Sequence, residues 1–199
     1  YEWDLDNDGI FEVVTTSPYY TMHCDKISKR TIRLRVMDNV GAYSSVATTT
    51  LSVEFVEDWE SGRFATNNWT GVGTAGQHPV IQPRVPGDPL YDPHAGNYSV
   101  KFAGDPTPGY SEYIEVTLDL SQATTPYLEF YLRLYQLEAS DNDNFYVDIY
   151  DGVWHNGVMQ FGEPESDNLW HNYTLNLSSF NHVSNFKIRF RAEFSHCVA

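Results

Sequence analysis

Hydrophobic and polar residues alternate with a period of two in short runs along most of the chain, and the runs are closed by Asp, Asn, Gly, Pro or Ser. Successive side chains of a strand point to opposite faces, so this period predicts half-buried strands. In TIRLRVMD (31–38), Ile32, Leu34 and Val36 alternate with Thr31, Arg33 and Arg35; NVGA (39–42) reads as a turn and SSVATTTLSVEF (44–55) as the returning partner. With YEWDLD and FEVVTT ahead of them, these runs predict about four strands in the first 55 residues. The pattern resets in EFVEDWESGRF, which predicts two packed domains, residues 1–54 and 55–199. Residues 63–110 are rich in Gly, Pro, Asn and Thr and read as long loops around short strands, NYSVKFAG (97–104) being the clearest. Beyond them SEYIEVTLDLS, PYLEFYLRLYQLE, NFYVDIYDG, WHNYTLNLSSF and NFKIRFRAEF are each long enough for a strand. Leu128, Phe130, Leu132 and Leu134 fall on one face of theirs, and Glu129, Tyr131 and Arg133 on the other. No run carries helical spacing, and the expected class is all-β, two β-sandwiches in tandem.

Composition agrees: with 199 residues, 41% hydrophobic and 15% aromatic, the chain is able to bury a core. A formal charge of −15 excludes a counterion-releasing contact with nucleic acid and disfavours anionic membranes. No window is apolar for long enough to span a bilayer, so direct membrane insertion is not expected. Acidic surfaces of this kind suit secreted and cell-surface proteins, where divalent cations neutralise them. Cys24 and Cys197 provide no disulfide framework, and whether they form one long-range bridge is left open.

The densest chemistry lies at the start. Asp4, Asp6 and Asp8 stand two apart, Gly9 supplies a turn, the carbonyl of Ile10 is able to ligate, and Glu12 adds a further oxygen, a set suited to Ca²⁺. It is not an EF-hand: counted from Asp4, the twelfth position is Thr15, and the flanks read as strand. Without a metal the same segment is an acidic hairpin turn. Asp141, Asp143, Asp148 and Asp151 read as a solvated acidic hairpin rather than a further cation site. The histidines (His23, His78, His94, His155, His171, His182, His196) never take zinc-ligand spacing, and no GxSxG elbow is present, so no catalytic role is expected. Trp154, in DGVWHNG, is the candidate exposed aromatic for a sugar ring or a neighbouring protein, whereas Trp3, Trp59 and Trp170 are expected in the core. Glycan-acceptor sequons begin at Asn68, Asn97, Asn172 and Asn176, the last two on one strand face.

YEWDLDNDG and LRVMDNVGAYSS resemble the two signatures of the C-terminal part of a PKD domain, an immunoglobulin-like sandwich. The resemblance implies that Trp3 is core, that Asp4 opens the acidic turn and that Asp38 and Asn39 end a strand. The opening strands of such a domain are missing, and Ser28-Lys29-Arg30 replaces its usual glycine. From Phe55 onward, VEDWESG, HAGNYSVKF, PYLEFYLRLY, LWHNYTLNLSSF and KIRFRAEFS are similar to MAM-type and related carbohydrate-binding-like jelly rolls, whose last strand is expected beyond Ala199. That resemblance implies a structural Ca²⁺, with Glu57, Glu60 and Asp92 at matching positions.

The expectation is therefore a non-catalytic, calcium-stabilised extracellular segment of a longer cell-surface, adhesive or filament-forming protein. Its partners would be neighbouring domains or subunits, or glycans. The alternative is an accessory carbohydrate- or protein-binding region of a secreted protease or glycosidase.

Overall fold

The computed structural model describes residues 1–21, 28–73, 79–102, 110–137 and 143–194. Cys24, Cys197, His23, His78, His196 and Asp141 lie outside the described residues. The chain is all-β and divides into two compact units, Tyr1–Phe55 with Leu120–Thr124, and Val56–Asp119 with Thr125–Ala199. Among the described residues no helix is long and apolar enough to cross a membrane.

The first unit holds one antiparallel sheet. Its strands are β1 (Glu2–Asp4), β2 (Val13–Val14), β3 (Ser28–Arg35) and β4 (Ala47–Val53), in the order β2-β1-β3-β4. Trp3 lies opposite both Val13 and Leu34, so the apolar positions of the alternating pattern share one face. On the other face Glu2 lies opposite Arg35, and their side chains pair at 2.7 Å. The Arg35 guanidinium is also covered by the rings of Phe11 and Tyr43, each 4.1 Å away.

The second unit is a sandwich. Its larger layer runs β11 (Trp154–Phe161), β10 (Asn144–Tyr150), β13 (Phe186–Phe194), β8 (Tyr110–Leu118) and β5 (Thr70–Gly73). Two antiparallel pairs, β6 (Val80–Pro83) with β7 (Tyr98–Lys101) and β9 (Tyr127–Leu132) with β12 (His171–Asn176), make up the remaining strands. Alternation decides the facing: Ile114, Val116, Phe145, Val147, Ile149, Phe186, Ile188 and Phe190 are buried, one from every second position of their strands. Phe130 of β9 crosses the gap to meet Phe190 at 5.0 Å, and Tyr173 of β12 meets Phe161 at 4.5 Å. The tryptophan of this core is Trp69, 6% exposed and stacked on Phe190. Trp3, Trp59 and Trp170, expected in the core, are only half-buried. Trp59 has a left-handed backbone (φ 63°), which sets its ring beside Trp69 at the rim.

Candidate metal centre

The Asp4–Glu12 loop folds around its own carboxylates. Asp4 ends β1 fully buried; its Oδ1 accepts the Asn7 amide at 2.6 Å and its Oδ2 the Gly9 amide at 3.0 Å. Asn7 (φ 65°) and Gly9 (φ 93°) take the left-handed backbone that this wrapping needs. Asp6 Oδ1 accepts from the Asp8 amide, Asp8 Oδ1 from the Ile10 amide at 2.7 Å, and Glu12 Oε2 reaches back to the Leu5 amide at 2.9 Å. Asp6, Asp8 and Glu12 therefore each use one oxygen to hold the turn.

The consequence is convergence: one oxygen from each of Asp4, Asp6, Asp8 and Glu12 lies within 4.8 Å of the others, the one such group among the described residues. Like charges this close repel, and among the described residues the cation paired with the group is Arg33, 3.4 Å from Asp4 Oδ2. β3 delivers Arg33 because it lies directly opposite Asp4 in register. An all-oxygen, carboxylate-rich set fits a hard cation such as Ca²⁺, which takes six to eight oxygens at about 2.3–2.6 Å. Ile10 contributes its amide to Asp8, and its side chain stands in solvent.

Glu57, Glu60 and Asp92 are not brought together into such a group. Glu57 accepts from the Trp59 amide (2.8 Å) and from Asn67 Nδ2 (2.9 Å). Glu60 accepts from the amides of Asn97 (2.6 Å) and Tyr98 (3.1 Å) and from Asn97 Nδ2. These bonds, the Asn97 amide first, hold the Glu60 carboxyl below its ordinary pKa. Gly96 makes the approach feasible, since a Cβ there would stand 2.3 Å from Glu60 Oε1. Asp92 pairs with Arg84 at 2.8 Å. Each of the three carboxylates is thus engaged by hydrogen-bond donors of the protein.

The expected solvated hairpin at 143–151 is overturned, since Asp143, Asp148 and Asp151 are buried. Asp148 is fully buried; Arg191 reaches it through Nε (2.7 Å) and Nη2 (3.2 Å), and the Gly157 amide donates to it at 2.7 Å across an irregularity in the β10–β11 ladder. Asp148 in turn raises the pKa of Arg191. Asp151 is 5% exposed and accepts from the Asn181 amide, Asn181 Nδ2 and His155. The Asn181 amide leads the causes that hold the Asp151 carboxyl below its ordinary pKa. These paired carboxylates act as structural anchors.

Trp154 is not a loop aromatic: it opens β11, half-buried, with the Arg189 guanidinium 3.8 Å above its ring. Arg189 also lies 4.3 Å from the Tyr113 ring centroid and binds Glu115 through Nε and Nη2, so one face of Trp154 is closed to a ligand. The sequon residues Asn68, Asn97, Asn172 and Asn176 are all exposed. Asn97 Nδ2 is held by Glu60, and Asn172 Nδ2 by Glu129 at 2.7 Å. Sequence reasoning missed Arg33, Arg189 and Arg191, whose partners are set by strand register; the only local signal was their place on the polar side of an alternating run.

No known protein family matches the chain, and no curated protein of similar sequence is found. A solved structure described as "Structural basis for the promiscuous specificity of the carbohydrate-binding modules from the beta-sandwich super family" is similar at 16% identity. It matches over 98% of this chain and 78% of its own, with a TM-score of 0.44. At that level the likeness carries no argument about what this chain binds.

Proposed function

We propose that the chain is a non-catalytic, calcium-stabilised module of a larger extracellular surface protein. The observation that carries the reading is the convergence of Asp4, Asp6, Asp8 and Glu12, whose oxygens lie within 4.8 Å while the backbone of their own loop already fixes the turn. A cation there offsets the mutual repulsion of the carboxylates and ties the β1 end of the loop to the Glu12 end. Extracellular modules of this kind bind Ca²⁺ with Kd of about 10⁻⁴–10⁻³ M, matched to an environment where the ion is plentiful. The role is then geometric: a stiffened sheet edge held between neighbouring domains or subunits of a surface assembly. The test is calorimetric titration of the metal-free chain with CaCl₂. One site of that affinity, lost on Asp6→Asn with Asp8→Asn, supports the proposal; no heat of binding up to about ten times the upper Kd refutes it.

A further inference from the structure

The outward face of β9–β12 has an unusual register. Asn172 lies directly opposite Tyr131, Thr174 opposite Glu129, and Asn176 opposite Tyr127. All six are exposed while their neighbours Leu128, Phe130, Tyr173 and Leu175 turn inward. Asn172-Tyr173-Thr174 and Asn176-Leu177-Ser178 are both acceptor sequons. Each sequon asparagine on this face is thus partnered by a tyrosine, Tyr131 at 44% and Tyr127 at 60% exposure. Directly opposed residues hold their Cβ atoms about 4.5–5.5 Å apart, within reach of the first sugar of a chain attached to the asparagine.

We propose that Asn172 and Asn176 carry N-linked glycans, each with its first sugar packed on the tyrosine across the strand. In the modification, Nδ2 displaces a lipid-linked oligosaccharide pyrophosphate at the anomeric carbon. The C–N bond forms, the C–O bond breaks, the lipid pyrophosphate leaves with the electron pair and one Nδ2 proton passes to a base. The substituted amide keeps one N–H, so Asn172 still donates to Glu129, now 2.7 Å away. His94 stacks on one face of Tyr131, its ring centroid 3.5 Å away, so a sugar packed on this ring would meet the opposite face. An amphipathic ring beside a saccharide suits both partners, its apolar face against C–H groups and its hydroxyl in water. Among the described residues β12 pairs only with β9, so glycans here also block edge-to-edge pairing by another sheet.

The proposal rests on the extracellular reading, and the calcium titration tests that reading separately. The experiment is glycopeptide mass mapping of the natively secreted polypeptide. Hexose-containing increments on Asn172 and Asn176 are expected; unmodified peptides at both, or glycans on Asn68 and Asn97 alone, overturn the assignment. Packing is then read from melts before and after enzymatic deglycosylation. Glycan removal should lower the midpoint of the wild type and leave Tyr127→Ala/Tyr131→Ala unmoved; an equal drop in both overturns the packing.

Discussion

Replacing Asp8 with Asn separates the scaffolding of the acidic loop from its affinity for a cation. Asp8 is exposed and uses Oδ1 to accept the Ile10 amide at 2.7 Å. An Asn side-chain oxygen accepts the same bond, so the metal-free stability should stay within about 0.5 kcal/mol of wild type. With calcium the two proteins part. At a concentration roughly ten times Kd, linkage stabilises the wild type by about 1.4 kcal/mol. For the first unit, Tyr1–Phe55 with Leu120–Thr124, which is about 60 residues, each kcal/mol moves its own midpoint by about 4–8 °C, which gives a shift of about 6–11 °C. Asp8→Asn, with a ligand charge removed, should lose most of it. Differential scanning calorimetry of both proteins in EDTA and in calcium provides the four melts required. An equal calcium shift in the two proteins, or none in the wild type, would refute the reasoning. Asp4→Asn supplies the contrast: its buried carboxylate holds two amides and faces Arg33, so it should cost about 1–3 kcal/mol already in EDTA, with the calcium shift lost in addition.

Further outcomes follow from the second unit. Gly96→Ala places a left-handed backbone (φ 67°) and a Cβ against Glu60, so it should destabilise by about 1–2 kcal/mol in urea titration, and an unchanged midpoint would show that Glu60 holds no loop. Asp148→Ala leaves a guanidinium that is 15% exposed with Glu193, itself 47% exposed, as its remaining carboxylate partner and should cost about 3 kcal/mol, with Asp148→Asn milder; equal, small losses would mean that the pair is not a structural anchor. Burial pushes the Glu115 carboxyl up, but hydrogen bonds from Lys187 and Arg189 outweigh it and hold the pKa below its ordinary value. The folded pKa is depressed, so Glu115 contributes its stability in full above the ordinary carboxylate range and loses it as pH falls through the folded value. Urea midpoints measured downward from pH 6 should therefore fall less steeply for Glu115→Gln than for wild type, and parallel curves would contradict the assignment.

The all-β class was legible because it rests on local alternation. Tyr127–Leu132 and His171–Asn176 have the period-two exposure that their residues imply, and a one-residue slip would have turned Phe130 outward. The turn chemistry of the first loop was legible for the same reason, since Asp4, Asp6, Asp8 and Gly9 act on neighbours no more than five residues away. What was not legible is non-local. Asp148 meets Arg191 across forty-three residues, and Glu60 meets Asn97 across thirty-seven, distances at which no spacing rule operates. Trp69 occupies the core because Phe190 lies over it, whereas Trp59, flanked by Asp58 and Glu60, is held at the rim by its own backbone.

The Arg189 cluster carries a consequence for how the chain varies over time. Its guanidinium sits against Tyr113 and Trp154 and forks onto Glu115, a carboxylate that Lys187 also holds. Lysine at 189 would keep the charge but lose the planar fork and the stacking. An aliphatic residue at 154 would uncover one side of the guanidinium, and a neutral residue at 115 would leave two cations facing each other. No single step away from this arrangement preserves its parts. Related chains should therefore keep positions 113, 115, 154 and 189 as a set or exchange them as a set, a covariation to seek as such sequences accumulate.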